Sequence, residues 1–353
     1  MSPEFLTVEN LTGIRGQRLL FRDLSFRVEA GQVLSLEGPN GAGKTSLLRM
    51  IAGFIAPAAG SIAFGALSEP EERGKRIGWL GHHDAAKPQL TPREVLRFFS
   101  ELYGAREPID GVLTAVGLAQ IADLPCQYLS AGQKKRLALA RLRLSGRPLW
   151  LMDEPLAALD NLRKGEILRY IECLRDEIKV PIVYVTHAVE EIVRLAEMVV
   201  LMADGKVLAT GKPSEVMGRP ELRAHAGIFE GGTVIDAKVA AHDLQYDLTT
   251  LEFAGGRLIV PGVDALVGEP MRLRVRARDV SIALTHPHDV SLLNVLKGRV
   301  VAVTASAGSS CDLRIDVGGV NLAARITRLS ADRLKLTAGS EVYALIKAIS
   351  LDR

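Results

Sequence analysis

The chain has 353 residues, of which 48% are hydrophobic and 24% are charged, with 44 basic and 41 acidic side chains. These values are typical of a globular protein and exclude a disordered, collagen-like or disulfide-rich chain. The formal net charge of +3 provides no chain-wide basic field, so we expect no nucleic-acid partner. At roughly 150 residues per domain, the length predicts two or three domains.

The apolar runs and the cysteines of the sequence limit the class of protein further. No apolar stretch of the sequence reaches the ~20 residues of a membrane-spanning helix. We expect no signal peptide, because residues 1–4 (MSPE) do not begin a basic region followed by an apolar one. Cys126, Cys173 and Cys311 are odd in number and far apart, which favours a reduced, cytosolic chain.

Short strands and helices alternate up to about residue 230. Strands are predicted at 33–36, 149–152 and 182–185, and apolar residues at helical spacing predict helices at 94–102, 134–144 and 164–177. This alternation predicts βαβ units around a largely parallel, buried sheet.

The pattern changes after residues 218–232, a segment rich in glycine, proline and charge that we interpret as a linker. Beyond it, short strands are separated by Gly-Gly and Pro-Gly turns. We therefore predict an α/β domain over residues 1–230 and an all-β domain over 231–353. One predicted strand carries a stripe of arginines, interpreted as a solvated strand face: Arg272, Arg274, Arg276 and Arg278.

The all-β domain repeats itself weakly. Residues 251–261 (LEFAGGRLIVP) resemble 315–325 (IDVGGVNLAAR), and residues 266–280 resemble 336–350. This similarity predicts a duplicated β unit.

Residues 38–45 (GPNGAGKT) match the pattern G-x-x-x-x-G-K-[ST] between a predicted strand and a predicted helix. The backbone N–H groups of such a loop turn inward around an anion, and the helix adds its positive end. Lys44 is predicted to reach the β- and γ-phosphates of ATP, and Thr45 to bind Mg²⁺. The predicted nucleotide-binding residues here are Gly38, Pro39, Asn40, Gly41, Ala42, Gly43, Lys44, Thr45 and Ser46.

Two acidic residues end the predicted strand 149–152. Asp153 is predicted to hold Mg²⁺ beside the phosphate loop, and Glu154 to act as the general base that activates the attacking water. His187 follows the strand 182–185 and is predicted to contact the γ-phosphate. Lys44, Glu154 and His187 are thus the predicted catalytic residues of an ATPase.

The segment 129–133 (LSAGQ) precedes a basic helix. Serine and glycine at a helix start provide a cap and exposed N–H groups. The residues alone allow a second anion site but favour an ordinary capped helix.

Together, LSAGQ, LMDEP (151–155), Ala158-Leu159-Asp160 and Thr186-His187 resemble the ATP-binding subunit of an ABC transporter over residues 1–230. The resemblance implies that two copies enclose two ATP molecules, and that Asp160 and the switch residue His187 couple them. It also implies integral membrane subunits as partners, at the cytoplasmic face of the inner membrane. The residues implied to cap the other copy's nucleotide are Ser130, Gly132 and Gln133.

Two positions depart from the family pattern. Arg15 stands where the family has an aromatic residue that stacks on adenine, and a guanidinium can also stack on a planar ring. We therefore expect Arg15 to contact the nucleotide. His82, followed by His83, stands nearest the position of a glutamine that links the nucleotide to the membrane subunit, and Gln89 lies too late.

The resemblance divides near residue 155. LSFRVEAGQ, WLGHHDAAKPQLT and LSAGQKKRLALARLRLSGRPLW resemble the heme-exporter ATPase of cytochrome c maturation. The remainder resembles the molybdate importer ATPase, whose C-terminal domain is oligonucleotide-barrel-like and binds molybdate.

The resulting hypothesis is an ATP-hydrolysing subunit that energises import of molybdate-type oxyanions. Two alternatives stay open: heme export, and an oxyanion-binding storage or regulatory protein. The candidate oxyanion contacts are Ser291, Asn294 and Lys297, for which ordinary strand and turn surface is an equally good interpretation.

Overall fold

The computed structural model describes residues 5–81, 86–157, 159–217, 222, 232–305 and 308–348. The chain divides into two units, Met1–Gly211 and Lys212–Arg353. The second unit thus begins before the predicted boundary at residue 231. Most of the predicted linker 218–232 lies outside the described residues.

The strands of the first unit are β1 (Leu6–Arg15), β2 (Arg18–Val28), β3 (Val33–Glu37), β4 (Ala59–Phe64), β5 (Ile77–Leu80), β6 (Leu149–Asp153), β7 (Ile182–Val185), β8 (Met198–Ala203) and β9 (Lys206–Gly211). Its helices are α1 (Lys44–Ile51), α2 (Pro70–Gly74), α3 (Pro92–Tyr103), α4 (Ile109–Ala115), α5 (Ala131–Leu144), α6 (Asn161–Ile178) and α7 (Val189–Leu195). All three predicted strands and all three predicted helices are present.

Within the described residues, the main sheet has the strand order β5-β6-β7-β3-β8-β9. Neighbours from β5 to β8 run parallel, and β9 is an antiparallel edge strand. A separate antiparallel sheet has the order β2-β1-β4. The predicted parallel sheet is confirmed, and its strand ends bring β3, β6 and β7 to one edge.

Alternate residues of the central strands enter two different cores, as the two-residue period of a strand requires. Leu34, Leu151 and Val183 pack with α1 and the antiparallel sheet. Trp150 and Tyr184 pack on the opposite face with α5 and α6. The strands are buried on both faces, which explains their continuous apolar sequences.

The second unit contains β10 (Gly232–Asp243), β11 (Leu248–Phe253), β12 (Gly256–Pro261), β13 (Pro270–Arg276), β14 (Val280–Ala283), β15 (Asn294–Ala305), β16 (Ser310–Val317), β17 (Val320–Thr327) and β18 (Glu341–Ile346). Two short helices, α8 (Pro213–Met217) and α9 (Arg328–Arg333), accompany them. Where it is described, the unit forms two antiparallel sheets, β12-β11-β10-β13 and β14-β18-β15-β16-β17, around one core. This confirms the predicted all-β class.

The predicted duplication is also confirmed. The order β12-β11-β10-β13 recurs as β17-β16-β15-β18. The N–H of Val239 donates to Glu269 O at 3.0 Å and its carbonyl accepts from Gly268 N at 2.8 Å. Val300 makes the same pair of bonds with Ser340 O at 2.9 Å and Gly339 N at 2.8 Å.

The interpretation of the arginine stripe as a solvated face is wrong for Arg274, which is only 6% exposed. Its Nε lies 3.4 Å from where a Cβ on Gly232 would be, so the first residue of β10 helps to cover it. Arg272 and Arg276 are half-buried, and Arg278 is exposed.

Cys126, Cys173 and Cys311 are free thiols. No helix in the described ranges has the length and apolar character needed to cross a membrane.

Candidate nucleotide-binding site

The phosphate loop lies between the end of β3 and the start of α1. Gly38 has φ 140° and Gly43 has φ 102°, conformations that residues with a Cβ rarely adopt. A Cβ on Gly38 would lie 2.0 Å from Met202 O, and one on Gly43 would lie 2.9 Å from Leu20 Cβ. Both the backbone path and the surrounding packing therefore require glycine here.

Lys44 is the first residue of α1 and is 6% exposed. Its Nζ donates hydrogen bonds to Gly38 O at 2.7 Å and to Pro39 O at 3.2 Å. Burial lowers the pKa of Lys44, and the acidic side chains of Glu37, Glu154 and Asp153 oppose that shift. The ammonium is thus held against the loop by two backbone carbonyls.

The two predicted metal ligands lie together. Thr45 Oγ1 donates a hydrogen bond to Asp153 Oδ1 at 3.4 Å. Burial raises the pKa of Asp153, while the bond from Thr45 lowers it. Hydroxyl and carboxylate oxygens suit Mg²⁺, which commonly keeps the rest of its octahedral shell for phosphate oxygens and water. The donor set therefore fits the predicted ion.

Glu154 and His187 meet because β6 and β7 are parallel neighbours. His187 Nε2 lies 3.1 Å from Glu154 Oε1. Burial, followed by the charge of Lys44, lowers the pKa of His187, and the Glu154 carboxylate opposes that shift. Glu154 has φ 48°, an unusual conformation for a residue with a side chain. The structure therefore brings the predicted base and the predicted γ-phosphate contact within 3.1 Å of each other.

A buried carboxylate that the sequence analysis missed supports this arrangement. Glu191 Oε2 accepts hydrogen bonds from Tyr184 Oη at 2.8 Å and from Thr186 Oγ1 at 2.7 Å. Thr186 Oγ1 also accepts from Ala188 N at 3.0 Å. These bonds fix the backbone on both sides of His187.

Glu37 is a second missed acid, at the end of β3 and 1% exposed. Ser35 Oγ donates to its Oε1 at 2.7 Å. Burial raises the pKa of Glu37 to about 8, against the opposing effects of Ser35 and Lys44. A largely protonated carboxyl therefore lies directly before the phosphate loop at neutral pH.

The LSAGQ segment begins α5 with a reciprocal cap. Ser130 Oγ accepts from Gln133 N at 3.2 Å, and Gln133 Oε1 accepts from Ser130 N at 2.8 Å. Asp160 caps α6 in a similar way by accepting from Arg163 N at 3.0 Å. Within one chain these side chains stabilise helix starts, and the predicted contact of Ser130, Gly132 and Gln133 with a second copy's nucleotide stays a prediction.

Of the two positions that depart from the family pattern, the structure describes only Arg15. His82 and His83 lie outside the described residues, as does Ala158. Arg15 is exposed at the end of β1. It lies opposite Arg18 in the antiparallel pairing of β1 with β2, across a two-residue turn.

The side chains of two of the three candidate oxyanion residues have partners within the protein. Asn294 is 2% exposed, and its amide pairs with the backbone of Ile259, accepting from N at 2.6 Å and donating to O at 2.9 Å. Lys297 Nζ lies 3.3 Å from Glu341 Oε2, and Ser291 is exposed. Neither contact favours anion binding, and the oxyanion assignment stays a prediction.

Comparison with known families agrees with this geometry. Residues 21–157 match the ABC transporter family, and residues 291–352 match the TOBE domain. The structure also resembles that of cbiO1 from Clostridium perfringens, part of the ABC transporter complex cbiONQ, with a TM-score of 0.55. That similarity covers 62% of this chain and 92% of the other at 24% identity, and it concerns the fold alone. The phosphate loop, the acidic pair and the strand order thus define an ABC-type ATP-binding subunit.

Similarity to individual curated proteins identifies the family more narrowly. The molybdenum import ATP-binding protein ModC of Mesorhizobium japonicum is 41% identical over 336 residues, which cover 92% of this chain and 90% of that protein. ModC of Aromatoleum aromaticum is 42% identical over 342 residues, or 94% and 90% of the two chains. ModC of Paramagnetospirillum magneticum is 39% identical over 344 residues, or 94% of each chain. The chain belongs to the family of molybdenum import ATP-binding proteins.

Proposed function

We propose that the chain hydrolyses ATP to drive a membrane transporter that imports molybdate-type oxyanions. The observation that carries the chemistry is the convergence of Lys44, the Thr45–Asp153 pair and the Glu154–His187 pair at one edge of the parallel sheet. The cargo is inferred from the names of relatives that align with more than nine-tenths of the chain.

The hydrolytic step requires little covalent chemistry from the protein and depends on positioning and electrostatics. Lys44 binds the β- and γ-phosphate oxygens, and Glu154 accepts a proton from the attacking water. His187 orients that water and donates a hydrogen bond to the γ-phosphate. Thr45 and Asp153 hold Mg²⁺, which supplies Lewis-acid neutralisation of phosphate charge when bound.

A second copy of the chain is the first proposed partner. Ser130, Gly132 and Gln133 of one copy close over the nucleotide bound by the other. Hydrolysis then separates the copies, and this cycle of closure and reopening drives transport.

Integral membrane subunits are the second proposed partner, which places the chain on the cytoplasmic face of the inner membrane. Support comes from large apolar side chains exposed between the phosphate loop and LSAGQ. Phe54 is 74% exposed, Phe98 is 58% exposed and Leu102 is 62% exposed. Phe98 and Leu102 lie one turn apart on α3, and adjoining exposed apolar side chains are typical of a protein contact.

Heme export stays a weaker candidate. No contact within the described residues favours it, and the molybdenum import relatives align with most of the first 155 residues as well as with the remainder. An oxyanion-binding regulatory role of the second unit is compatible with import and does not compete with it.

The test captures the full chain from detergent-solubilised membranes and identifies the integral membrane protein that copurifies. ATP-driven uptake of labelled molybdate is then measured in vesicles that contain this complex. The control is the complex with Glu154→Gln, which should assemble without transporting. A complex that moves heme and not molybdate would refute the proposed cargo while leaving the ATPase intact.

A further inference from the structure

The β1–β2 hairpin lies along the phosphate loop. Leu20 Cβ lies 2.9 Å, and Phe21 Cδ1 3.2 Å, from the position of a Cβ on Gly43. Two residues before Leu20, Arg18 Nη1 and Nη2 lie 3.6 and 3.7 Å from the position of a Cβ on Gly41. Strand β2 thus runs beside the phosphate loop, and the guanidinium of Arg18 lies next to Gly41 of that loop.

Arg18 has no carboxylate partner in the part of the chain that the structure describes. Other arginines of the first unit do have such partners. Arg194 Nη2 lies 2.6 Å from Glu172, and Arg143 Nη2 lies 2.7 Å from Glu177. Arg15, paired with Arg18 in the hairpin, likewise has no acidic partner among these residues. Arg15 and Arg18 therefore lie, without acidic partners among the described residues, on the hairpin that borders the anion site.

A guanidinium in this place suits phosphate. Its planar fork of N–H donors matches two phosphate oxygens, and such charge-assisted bonds are stronger than neutral ones. The loop supplies backbone N–H groups and Lys44, whereas Arg18 approaches from the hairpin. A phosphate chain held in the loop would thus meet cations from two elements.

The hairpin offers less to a base. Its aromatic rings, Phe21 and Phe26, are both buried, at 0% and 7% exposure. The exposed apolar side chains at its end are Ile14 and Leu19. These are aliphatic and provide no aromatic ring on which a purine could stack, and the guanidinium of Arg15 would stack on adenine and guanine alike.

We propose that Arg18 is a phosphate-binding residue, and that this site recognises nucleoside triphosphates by their phosphates more than by their base. The proposal rests on the proposed nucleotide-binding role of residues 38–45 and extends that site to the hairpin. It predicts similar affinity for ATP and GTP, because neither purine gains a stacking partner that the other lacks.

The test compares calorimetric binding of MgATP and MgGTP to the full chain and to Arg18→Ala, Arg18→Lys and Arg22→Ala. Arg22 is the matched control, an exposed arginine on the same strand. Arg18→Ala should weaken both nucleotides by the same factor, about tenfold. Arg18→Lys should fall between, since an ammonium keeps the charge and loses the fork. The difference between parent and Arg18→Ala should shrink as salt increases.

Circular dichroism and melting curves check that each variant folds. Equal affinities of Arg18→Ala and Arg22→Ala, with a parent that binds nucleotide, would overturn the proposal alone. A loss confined to one base would overturn it as well, since it would assign Arg18 to the base. A parent that binds neither nucleotide would overturn this proposal together with the nucleotide-binding function.

Discussion

The hydroxyl of Thr186 donates a 2.7 Å hydrogen bond to the carboxylate of Glu191, which is 2% exposed. Lys164 Nζ lies 3.9 Å from the other oxygen of that carboxylate. Thr186 immediately precedes His187, so helix α7 holds the turn that places the imidazole beside Glu154. Burial raises the pKa of Glu191, and the bonds from Thr186 and Tyr184 oppose that shift.

Replacement of Glu191 by glutamine should slow hydrolysis without a comparable loss of ATP affinity. The amide loses the charge that faces Lys164 and turns a donor toward it, so the turn before His187 relaxes. We expect kcat to fall about tenfold or more, because catalysis depends on sub-ångström placement. Steady-state kinetics separate kcat from KM, and Glu190→Gln, on the neighbouring residue, is the control. Equal kcat values for the two variants would show that Glu191 does not position His187.

Glu154→Gln should separate ATP binding from hydrolysis. An amide cannot accept the proton of the attacking water, and general-base contributions are about 100- to 10,000-fold. We therefore expect turnover to fall within that range while the variant accumulates as an ATP-bound dimer, measured by size-exclusion chromatography with light scattering. Lys44→Ala is the contrasting variant and should lose both dimerisation and turnover. Hydrolysis by Glu154→Gln at the parent rate would reassign the base.

Local patterns predicted the parts of the site that local structure creates. A glycine-rich loop between a strand and a helix fixes where Lys44 and Thr45 lie, because backbone geometry sets their positions. Asp153 and Glu154 were predicted as site residues because an apolar strand of the sequence ends in these two acidic residues. The meeting of Glu154 with His187 needed one more step, the parallel pairing of β6 with β7.

Contacts that depend on tertiary burial were not predictable in the same way. In the sequence, Glu37 and Glu191 cannot be told from surface carboxylates. Only the folded structure shows that they are buried. Asn294 was a candidate oxyanion contact because its segment resembles a molybdate-binding domain, with ordinary strand surface as an equally good interpretation. Its partner, Ile259, lies 35 residues away on another sheet. A polar side chain in sequence has many possible partners, and folding selects one.

Glu37 should make the folded chain less stable as pH rises. Its pKa is raised to about 8 in the folded state from 4.5, so between these values the folded chain holds a proton that the unfolded chain has lost. Stability therefore falls through this window, with a slope of up to about 1.4 kcal/mol per pH unit from this group.

Glu37→Gln has no proton to lose and should melt with a shallower pH dependence between pH 5 and 8. Differential scanning calorimetry at several pH values measures the slope, and Glu29→Gln, an exchange at a solvent-accessible site, is the control. Identical slopes for Glu37→Gln and the parent would mean that the Glu37 carboxyl ionises normally.

Asn294 and Thr233 join the two copies of the duplicated β unit in a reciprocal way. The Asn294 amide, at the start of β15, pairs with Ile259 on β12, an edge strand of the first sheet. Thr233 Oγ1, near the start of β10, donates to Asn321 O at 3.1 Å and accepts from Ala323 N at 2.8 Å on β17, an edge strand of the second. The first strand of each repeat (β10 or β15) thus hydrogen-bonds to the third strand of the other repeat (β17 or β12).

Asn294→Ala should therefore destabilise the second unit, because it leaves the N–H and C=O of the half-buried Ile259 without their hydrogen-bond partners. We expect a loss of about 1–3 kcal/mol in the free energy of unfolding, measured by urea denaturation. Ser291→Ala, at an exposed site in the same predicted oxyanion set, should stay within about 0.5 kcal/mol of the parent. Molybdate calorimetry on the full-length variants distinguishes the two roles of Asn294. Unchanged stability with lost molybdate binding would restore Asn294 as an oxyanion ligand, whereas lost stability with retained binding assigns it to the junction between the copies.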